Sequence, residues 1–325
     1  MSNAADNMIA DLAERDFIVF AGAGIPNGDG KVIWRELLGT FKQADPNLMI
    51  EDINEVDESK YPDYAQRVYD AIGAERYHQI LKQKLEATDA RCSLQQLDII
   101  ETARHVVTTN FDDSFEEGMK RVMEGNQDIY IQSLTELQSR ILNNNNSISY
   151  LHGRINEEFI IFKTDDYITF YPSQSKHNRG NDKLEIFLRH LYEERTIVFI
   201  GVSFNDEYLL NALNIFYNNV KQNDQVCLES KKSYKPTLYN IQHYAFMPKD
   251  MGIVAKEELQ KQNTVIREQQ AEEKRKNRIE FLEEIRIKVF TYEKHLESMD
   301  WLRKIRELQR QRKNVRVSNQ TGNLL

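Results

Sequence analysis

Four short segments of the sequence end in residues that can bind a nucleotide or take part in proton transfer. They are FIVFAGAGIPN (residues 17–27), VVTTNFDD (106–113), YLHG (150–153) and IVFIGVSFND (197–206). Each begins as an apolar run typical of a buried strand and ends in small or polar residues. Because the carboxyl ends of parallel strands meet at one edge of a sheet, we expect these four ends to form a single ligand site.

The first segment has the composition of a phosphate-binding loop. Gly22 and Gly24 allow a tight turn and a close approach of the backbone to a phosphate, and the helix predicted after residue 32 adds N–H donors. Asn27 stands where the dinucleotide-binding fingerprint has a third Gly or Ala. An ordinary glycine turn is therefore the alternative.

The second segment places a carboxamide and carboxylates after an apolar run. Asn110 can hold a water or a ribose hydroxyl, because an amide both donates and accepts hydrogen bonds. Asp112 can fix the orientation of that amide. The alternative is that Thr108, Thr109, Asn110 or Asp112 caps the helix predicted to begin at residue 114.

The third and fourth segments supply an imidazole, a hydroxyl and a further carboxylate. His152 can take a proton from a hydroxyl or a water near neutral pH, and a structural histidine is the alternative. Gly201 and Ser203 can contact phosphate or ribose. Asp206 either caps the helix predicted from residue 207 or binds a ribose hydroxyl. We favour the cap for Asp206 and ligand contact for Ser203.

Apolar runs alternate with stretches of helical periodicity along most of the chain. This alternation predicts an α/β fold, with a Rossmann-like parallel sheet and helices on both faces. The predicted strands are residues 17–20, 105–109, 147–151, 159–162, 196–200, 243–247 and 285–291.

One main domain is predicted over residues 1–310, with a helical insert at 34–103. The segment 255–284 is rich in Glu, Lys, Gln and Arg and predicts a long exposed helix. Residues 311–325 are expected to be a disordered tail. Before this tail, a final helix over 296–309 has one apolar face, formed by Leu296, Met299, Leu302, Ile305 and Leu308.

The composition argues against several other classes of protein. The 325 residues carry a formal net charge of −8, and the pI of about 5.5 disfavours general electrostatic binding of nucleic acid. Neither a long apolar run nor a signal peptide is visible, so we expect a cytoplasmic protein without membrane contact. Cys92 and Cys227 cannot form a four-cysteine zinc site, and the histidines lack metal-ligand spacing, so no metal is expected.

In this order, the four segments resemble the motifs of the sirtuin superfamily. Sirtuins carry a GAG loop, a T-x-N-x-D motif, an H-G motif and a G-x-S motif, which correspond here to residues 21–25, 108–112, 152–153 and 201–203. Deacylase sirtuins also carry a four-cysteine zinc ribbon after the H-G motif, whereas this chain continues there without a cysteine, and Pro26 replaces the usual serine. The sequence therefore looks more like the zinc-free, sirtuin-like NAD hydrolases of bacterial anti-phage systems, such as the Thoeris effector and the sirtuin-like partners of HerA-type translocases.

This resemblance implies an enzyme that takes NAD as its substrate and uses no metal. The implied reaction cleaves the nicotinamide–ribose bond to give nicotinamide and ADP-ribose, which depletes NAD during abortive infection. The resemblance assigns Asn110 to the water and the ribose, with Asp112 beside it, and His152 to the ribose hydroxyls or to proton removal. The implied NAD-binding residues are Gly22, Ala23, Gly24, Ile25, Thr109, Gly201 and Ser203.

The resemblance also implies protein partners. Related hydrolases assemble into homo-oligomers and are switched on by a partner or a signal, here a separate protein such as a HerA-type ATPase. Two other functions remain open from the residues. One is an NAD-dependent protein deacylase or ADP-ribosyltransferase, and the other is a non-catalytic assembly subunit that binds NAD or ADP-ribose.

Overall fold

The centre of the protein is a seven-stranded parallel β-sheet. The computed structural model describes residues 3–25, 34–86, 91–123, 128–143, 146–154, 157, 159–172, 182–229, 241–249 and 261–322. The strands are β1 (Phe17–Ala21), β2 (His105–Thr108), β3 (Tyr130–Ser133), β4 (Ser147–Tyr150), β5 (Thr196–Ile200), β6 (His243–Pro248) and β7 (Ile287–Tyr292). They lie in the order β3-β4-β2-β1-β5-β6-β7, and every neighbouring pair is parallel.

Helices cover both faces of the sheet. They are α1 (Asn3–Glu14), α2 (Trp34–Ala44), α3 (Tyr61–Ile72), α4 (Ala74–Glu86), α5 (Leu94–Thr102), α6 (Ser114–Val122), α7 (Thr164–Phe170), α8 (Asp182–Glu194), α9 (Glu207–Glu229), α10 (Lys261–Glu284) and α11 (His295–Gly322). None of the helices in the described ranges is long and apolar enough to cross a membrane.

Alternation of side chains along β1 shows how the two helical layers are separated. Phe17, Val19 and Ala21 join one apolar core, with α1, α5, α6 and α11, whereas Ile18 and Phe20 join the other core, with α7, α8, α9 and the end of α10. Successive side chains of a strand point to opposite faces, so a strand buried on both sides has to be apolar throughout. The predicted α/β fold with a Rossmann-like parallel sheet is confirmed.

The predicted insert between β1 and β2 contains a helical unit with its own core. Helices α2, α3 and α4 bury Leu38, Phe41, Tyr64 and Tyr77, and the rings of Phe41 and Tyr77 stack with centroids 4.8 Å apart. Phe162, from the main part of the chain, closes this core. The last helix of the predicted insert, α5, packs instead against α6 and α11 in a layer of the sheet.

The structure corrects three predictions about individual elements. Residues 159–162 form no strand; they return to β4, where the Ile161 N–H donates to the His152 carbonyl at 2.8 Å. Strand β3 was missed because it is short and lies at the sheet edge, with the polar Gln132 buried against Ser149. Helix α11 continues to Gly322 where a disordered tail was expected from residue 311, and an ion pair from Arg312 to α1 supports this extension.

The predicted apolar face of the last helix is confirmed in its middle and wrong at its start. Met299, Leu302 and Ile305 are buried, but Leu296 is exposed. Leu308 is partly buried against the same core. The periodicity of the sequence identified the correct face but not the residue at which it begins to be covered.

Strand β1 is the point at which the order of the strands reverses. Its two neighbours are β2 and β5, and the chain builds the sheet outward from β1 in both directions. The loops that follow β1 and β5 therefore leave the sheet side by side and diverge, which opens a crevice at the carboxyl ends of these strands. Ligands of open parallel sheets bind in such a crevice.

Candidate functional site

A cavity of about 650 Å³ lies at the strand-order reversal. Its walls come from the loops after β1 and β5, from α2 and the turn before α3, and from one face of α10. This volume is within the usual range for small-molecule and cofactor sites. Seven residues of the predicted site line it: Gly22, Ala23, Gly24, Thr109, His152, Gly201 and Ser203.

The two glycine-containing loops pack directly against each other. The Gly22 N–H donates to the Ile200 carbonyl at 2.9 Å, and the Gly24 N–H donates to the Gly201 carbonyl at 2.8 Å. A Cβ atom on Gly22 would lie 2.9 Å from the Gly201 carbonyl carbon, and one on Gly24 would lie 2.9 Å from its oxygen. Gly201 itself has φ = +67°, which favours glycine.

These contacts change the role expected of the glycine loop. The backbone at Gly22 and Gly24 was predicted to approach a phosphate closely, but the N–H groups of both residues are already bonded to carbonyls at the end of β5 and in the loop after it. Because the glycines have no side chain, the two loops pack backbone to backbone and together form one side of the cavity. Charged side chains elsewhere in the wall have to supply most of the attraction for a phosphate group.

Ile25, also predicted in this loop, does not line the cavity. Its side chain is 2 % exposed and packs in the core shared with α1 and α11. Its backbone N–H donates to the Gly22 carbonyl at 3.4 Å. Direct contact of Ile25 with a ligand is therefore a prediction that this geometry contradicts.

His152 lines the cavity from the end of β4 and is almost completely buried, with 3 % of its surface exposed. Its Nε2 atom lies 2.8 Å from the Tyr171 hydroxyl, and its Nδ1 atom has no hydrogen-bond partner among the described residues. The Tyr167 ring stands edge-on to the imidazole at 5.4 Å. The imidazole therefore sits among aromatic rings.

Burial in this apolar surrounding lowers the pKa of His152 to about 3. At neutral pH the imidazole is uncharged, and a group with so low a pKa is a weak proton acceptor. Of the two roles implied for His152, hydrogen bonding to a ribose hydroxyl fits this environment better than full proton removal.

Asn110 follows Thr109 but is not part of the cavity wall. Its backbone N–H donates to the Thr108 hydroxyl at 3.0 Å, and that hydroxyl donates to the Ala21 carbonyl of β1. Its amide oxygen is buried without a hydrogen-bond partner among the described residues. A buried amide oxygen without a partner is costly, so Asn110 remains a candidate for ligand or water contact.

Asp112 makes local contacts at the start of α6, although the N-cap residue of that helix is Asp113. The Asp112 carboxylate accepts hydrogen bonds from the Ser114 N–H at 3.0 Å and from the Ser114 hydroxyl. These are the contacts of a helix start. Orientation of the Asn110 amide by Asp112 stays a prediction.

The loop after β5 confirms the cap favoured for Asp206, while ligand contact of Ser203 stays a prediction. The Asp206 carboxylate accepts from the Tyr208 and Leu209 N–H groups at 2.9 and 3.0 Å, so the cap of α9 is confirmed. Burial raises the pKa of Asp206 to about 6. Ser203 is exposed in the cavity wall, where a ligand can reach its hydroxyl.

No local pattern of residues predicted the basic side chains that line the cavity. They come from distant parts of the chain: Arg35 from α2, and Lys274, Arg275 and Arg278 from α10. Arg278 donates to the carbonyl of Phe204, a residue with φ = +55°. The charged composition of α10 predicted only an exposed helix, since nothing in a local pattern shows which face will fold over a distant loop.

Two acidic residues in the turn before α3 hold some of these cations in place. Lys274 forms an ion pair with Asp57 at 2.6 Å, and this contact lowers the pKa of Asp57 to about 2. Glu58 pairs with Arg35 at 3.3 Å and accepts from the Asn205 amide at 2.8 Å. The helical insert, α10 and the loop after β5 are thus joined across the cavity by polar contacts.

Aromatic rings form another part of the wall. Tyr167 and Tyr208 stack with centroids 4.7 Å apart, and Trp34 stacks on Tyr61 at 5.9 Å. Trp34, the first residue of α2, lines the cavity as well. Tyr167 lies in α7 and Tyr171 directly follows that helix, and their four-residue spacing places both rings on one side of it.

Comparison with known proteins identifies the family of the chain. A family model described as a SIR2-like domain matches residues 104–282, which is more than half of the chain. None of the curated proteins compared with the chain matches it. The matched segment contains His152, Gly201 and most of α10, while the glycine loop after β1 precedes it.

Proposed function

This chain belongs to the family of SIR2-like domains, and from that premise we propose that it is an NAD⁺ hydrolase. It cleaves the bond between nicotinamide and ribose and releases nicotinamide and ADP-ribose. The observation that carries the proposal is the convergence of His152 with the loops after β1 and β5 on one cavity at the strand-order reversal.

The reaction needs a particular set of interactions. When the bond from ribose C1′ to the nicotinamide nitrogen breaks, its electron pair neutralises the positive ring, so the leaving group needs no proton. A water then forms the new bond to C1′ and loses a proton. The enzyme has to hold the ribose, exclude other acceptors and position that water while positive charge develops on the sugar.

Neutral His152 suits the ribose. Its environment disfavours a charged imidazole, which would repel the cationic sugar of the transition state. A hydrogen bond from an uncharged ring holds a ribose oxygen without adding positive charge. Asn110 directly follows Thr109 of the cavity wall, and its amide oxygen has no partner among the described residues. Asn110 is therefore the proposed contact for the attacking water.

The basic side chains of the wall suit the diphosphate of NAD. Guanidinium groups make paired hydrogen bonds to phosphate oxygens, and an ammonium group adds a point charge. Arg35 and Lys274 are already paired with carboxylates, and exposed pairs of this kind are weak, so a diphosphate can displace Glu58 and Asp57 at little cost.

The tyrosine and tryptophan rings suit the other end of the substrate. Aromatic faces attract cations, and the nicotinamide ring of NAD⁺ is cationic until it leaves. Tyr167 and Tyr208 lie on the same side of the cavity as His152, since Tyr167 contacts the imidazole directly. Loss of positive charge on the leaving ring weakens its attraction to these faces and favours its release.

The path of the chain after His152 favours water over a protein acceptor. Ile161 is hydrogen-bonded back to His152, and a Cβ atom on Gly153 would lie 3.2 Å from the Ile160 Cα. Gly153 and Ile160 are therefore held close together where deacylase sirtuins insert their zinc ribbon, and the sequence contains only two cysteines. These features support hydrolysis over deacylation.

We propose that the hydrolase acts in anti-phage defence by depleting NAD, as a homo-oligomer switched on by a separate protein. The resemblance of the motifs to defence-system hydrolases supports this role. The exposed side chains of α10 and the helical insert offer surfaces for such contacts. An HerA-type ATPase is the proposed kind of activator.

The test is release of nicotinamide from NAD⁺ by the purified protein, compared with His152→Ala and Asn110→Ala. Wild type should release nicotinamide, and each variant should lose most of this activity while remaining folded. His190→Ala is the matched control, because His190 lies on α8 outside the cavity wall. It should keep full activity.

The other outcomes identify the alternatives. Tight NAD binding without nicotinamide release, also in the presence of an added activator, would favour a non-catalytic binding subunit. Release that requires an acylated peptide would favour a deacylase. A variant of His152 or Asn110 with unchanged turnover and unchanged melting temperature would remove that residue from the mechanism.

A further inference from the structure

We propose that Tyr171 is a positioning residue that fixes His152 as the tautomer with its proton on Nδ1, so that His152 meets the ligand as a hydrogen-bond donor. The hydrogen bond from Tyr171 to His152 Nε2 inside the aromatic wall carries this inference. It rests on the proposed function only for the nature of the ligand, a nucleotide that offers a ribose oxygen.

The contact between the two side chains is short and sealed from water. The Tyr171 hydroxyl lies 2.8 Å from His152 Nε2, and the two residues are 1 % and 3 % exposed. The tyrosine ring stands nearly perpendicular to the imidazole, at 76°. Tyr171 belongs to the core behind the cavity and is not part of the cavity wall, so it approaches His152 from the protein side.

Counting protons shows which group donates. If the phenol donates to Nε2, the imidazole proton is on Nδ1 and only that one donor is left without a partner. If instead Nε2–H donates, the phenol proton and the Nδ1 lone pair are both left unpaired. Buried donors and acceptors without partners are costly, so the arrangement with the phenol as donor is favoured.

The neighbouring tyrosine contacts the same imidazole through its ring. Tyr167 stacks on Tyr171 with centroids 5.4 Å apart and meets the imidazole edge-on. The hydroxyl within hydrogen-bond distance of His152 Nε2 is that of Tyr171.

The rest of the environment keeps the imidazole at one proton. The rings of Phe111, Tyr167 and Tyr171 surround it, and burial alone accounts for the low pKa of His152. Its single proton is thus on Nδ1, the buried atom that has no partner among the described residues. In a cavity wall, such a donor is completed by an oxygen of the bound ligand.

With this assignment, His152 acts as a hydrogen-bond donor to a ribose oxygen and not as a base that removes a proton. The tautomer with a free Nδ1 lone pair could accept a proton from a ribose hydroxyl, and Tyr171 disfavours that tautomer. Because the orientation of one catalytic group can change a rate by about a hundredfold, Tyr171 is expected to influence turnover without touching the substrate.

The experiment reads the tautomer directly by two-bond ¹H–¹⁵N correlation spectra of protein labelled with ¹⁵N-histidine. The His152 signals are identified by their loss in His152→Gln. Wild type should show a protonated Nδ1 and an unprotonated Nε2, unchanged between pH 5 and 8. Tyr171→Phe should lose this pattern or show both tautomers, whereas Tyr167→Phe, which removes the adjacent hydroxyl, should keep it.

Ligand and turnover measurements complete the test. ADP-ribose should shift the Nδ1 signal of wild type, and Tyr171→Phe should lower kcat by about tenfold to a hundredfold with a smaller change in KM. A protonated Nε2 in wild type would overturn the proposal, as would a Tyr171→Phe variant with the wild-type tautomer. If Tyr171→Phe fails to fold, the wild-type spectrum alone still decides the tautomer.

Failure of the hydrolase proposal would look different. A protein that shows the Nδ1 tautomer, binds ADP-ribose and releases no nicotinamide even with an activator would contradict hydrolysis and leave the tautomer assignment intact. Conversely, a hydrolase with a protonated Nε2 would contradict the tautomer assignment alone.

Discussion

Gly22→Ala is the substitution that most sharply tests how the two loops meet at the cavity. Gly22 does not have a positive φ, so its backbone conformation is open to alanine. The obstacle is the close approach of the neighbouring loop, since the new methyl group would lie 2.9 Å from the Gly201 carbonyl carbon and 3.0 Å from the Val202 Cα. Both neighbours are backbone atoms and cannot swing away.

The magnitude follows from the overlap. Ordinary contact begins near 3.4 Å, so the loops have to separate by about 0.5 Å at the carbonyl carbon, and by more at the Gly201 carbonyl oxygen, which would be the nearest atom. Such overpacking costs about 1–3 kcal/mol. Replacing glycine also restricts the unfolded chain, which stabilises by about 0.4–1 kcal/mol. The overlap is the larger effect, so we expect net destabilisation and a disturbed cavity wall.

The assay combines urea denaturation with calorimetric titration of ADP-ribose. Gly39→Ala is the matched control, because Gly39 lies inside α2 and its new methyl group would be 3.7 Å from the Ile53 side chain, an ordinary contact. We expect Gly22→Ala to unfold at lower urea and bind ADP-ribose more weakly, and Gly39→Ala to be at least as stable as wild type. Equal stability and affinity of Gly22→Ala and wild type would refute the packing argument.

Three further substitutions have defined outcomes. Asp57→Asn removes the partner of Lys274. Because both side chains are largely exposed, the free energy of unfolding should change by less than about 1 kcal/mol. Calorimetry at low salt should show about twofold to fivefold tighter binding of ADP-ribose, because Lys274 is then free to bind phosphate. Asp206→Asn keeps a cap but removes a carboxyl whose pKa is raised to about 6 from 3.8 in the folded protein. Wild type should therefore lose stability relative to the variant as the pH rises from about 4 to 6. Urea titrations should show a loss on the order of 1 kcal/mol. Gly153→Ala, at φ = +84° and in close contact, should cost more unfolding free energy than Gly73→Ala, at φ = +80° with open space around it; equal losses would show that only φ matters.

Local pattern was enough to predict the sheet and the line of residues along its carboxyl edge. Apolar strands such as β1 and β5 are buried on both faces, so their sequences are apolar throughout and end abruptly in glycine. The positions of His152 and Ser203 in the cavity wall follow from this regularity. The side chain of Ile25 was misplaced because the sequence does not show which side of a turn faces the core.

The other half of the cavity depends on packing between distant segments. Lys274 and Asp57 are 217 residues apart and meet only because α10 and the helical insert fold over the same loops. Tyr171, at the end of α7, touches His152 at the end of β4, 19 residues earlier in the chain. Contacts of this kind depend on how elements are arranged in space, and a single sequence carries no local signal for them.

The most direct test of hydrolysis is the balance of products formed from NAD⁺ by the wild-type protein, with its activator if one is required. The account predicts equal amounts of free nicotinamide and free ADP-ribose, formed without any added peptide. Two results would contradict the claim that water is the acceptor. One is nicotinamide release that depends on an acyl-lysine peptide, and the other is ADP-ribose found covalently attached to protein and not free in solution.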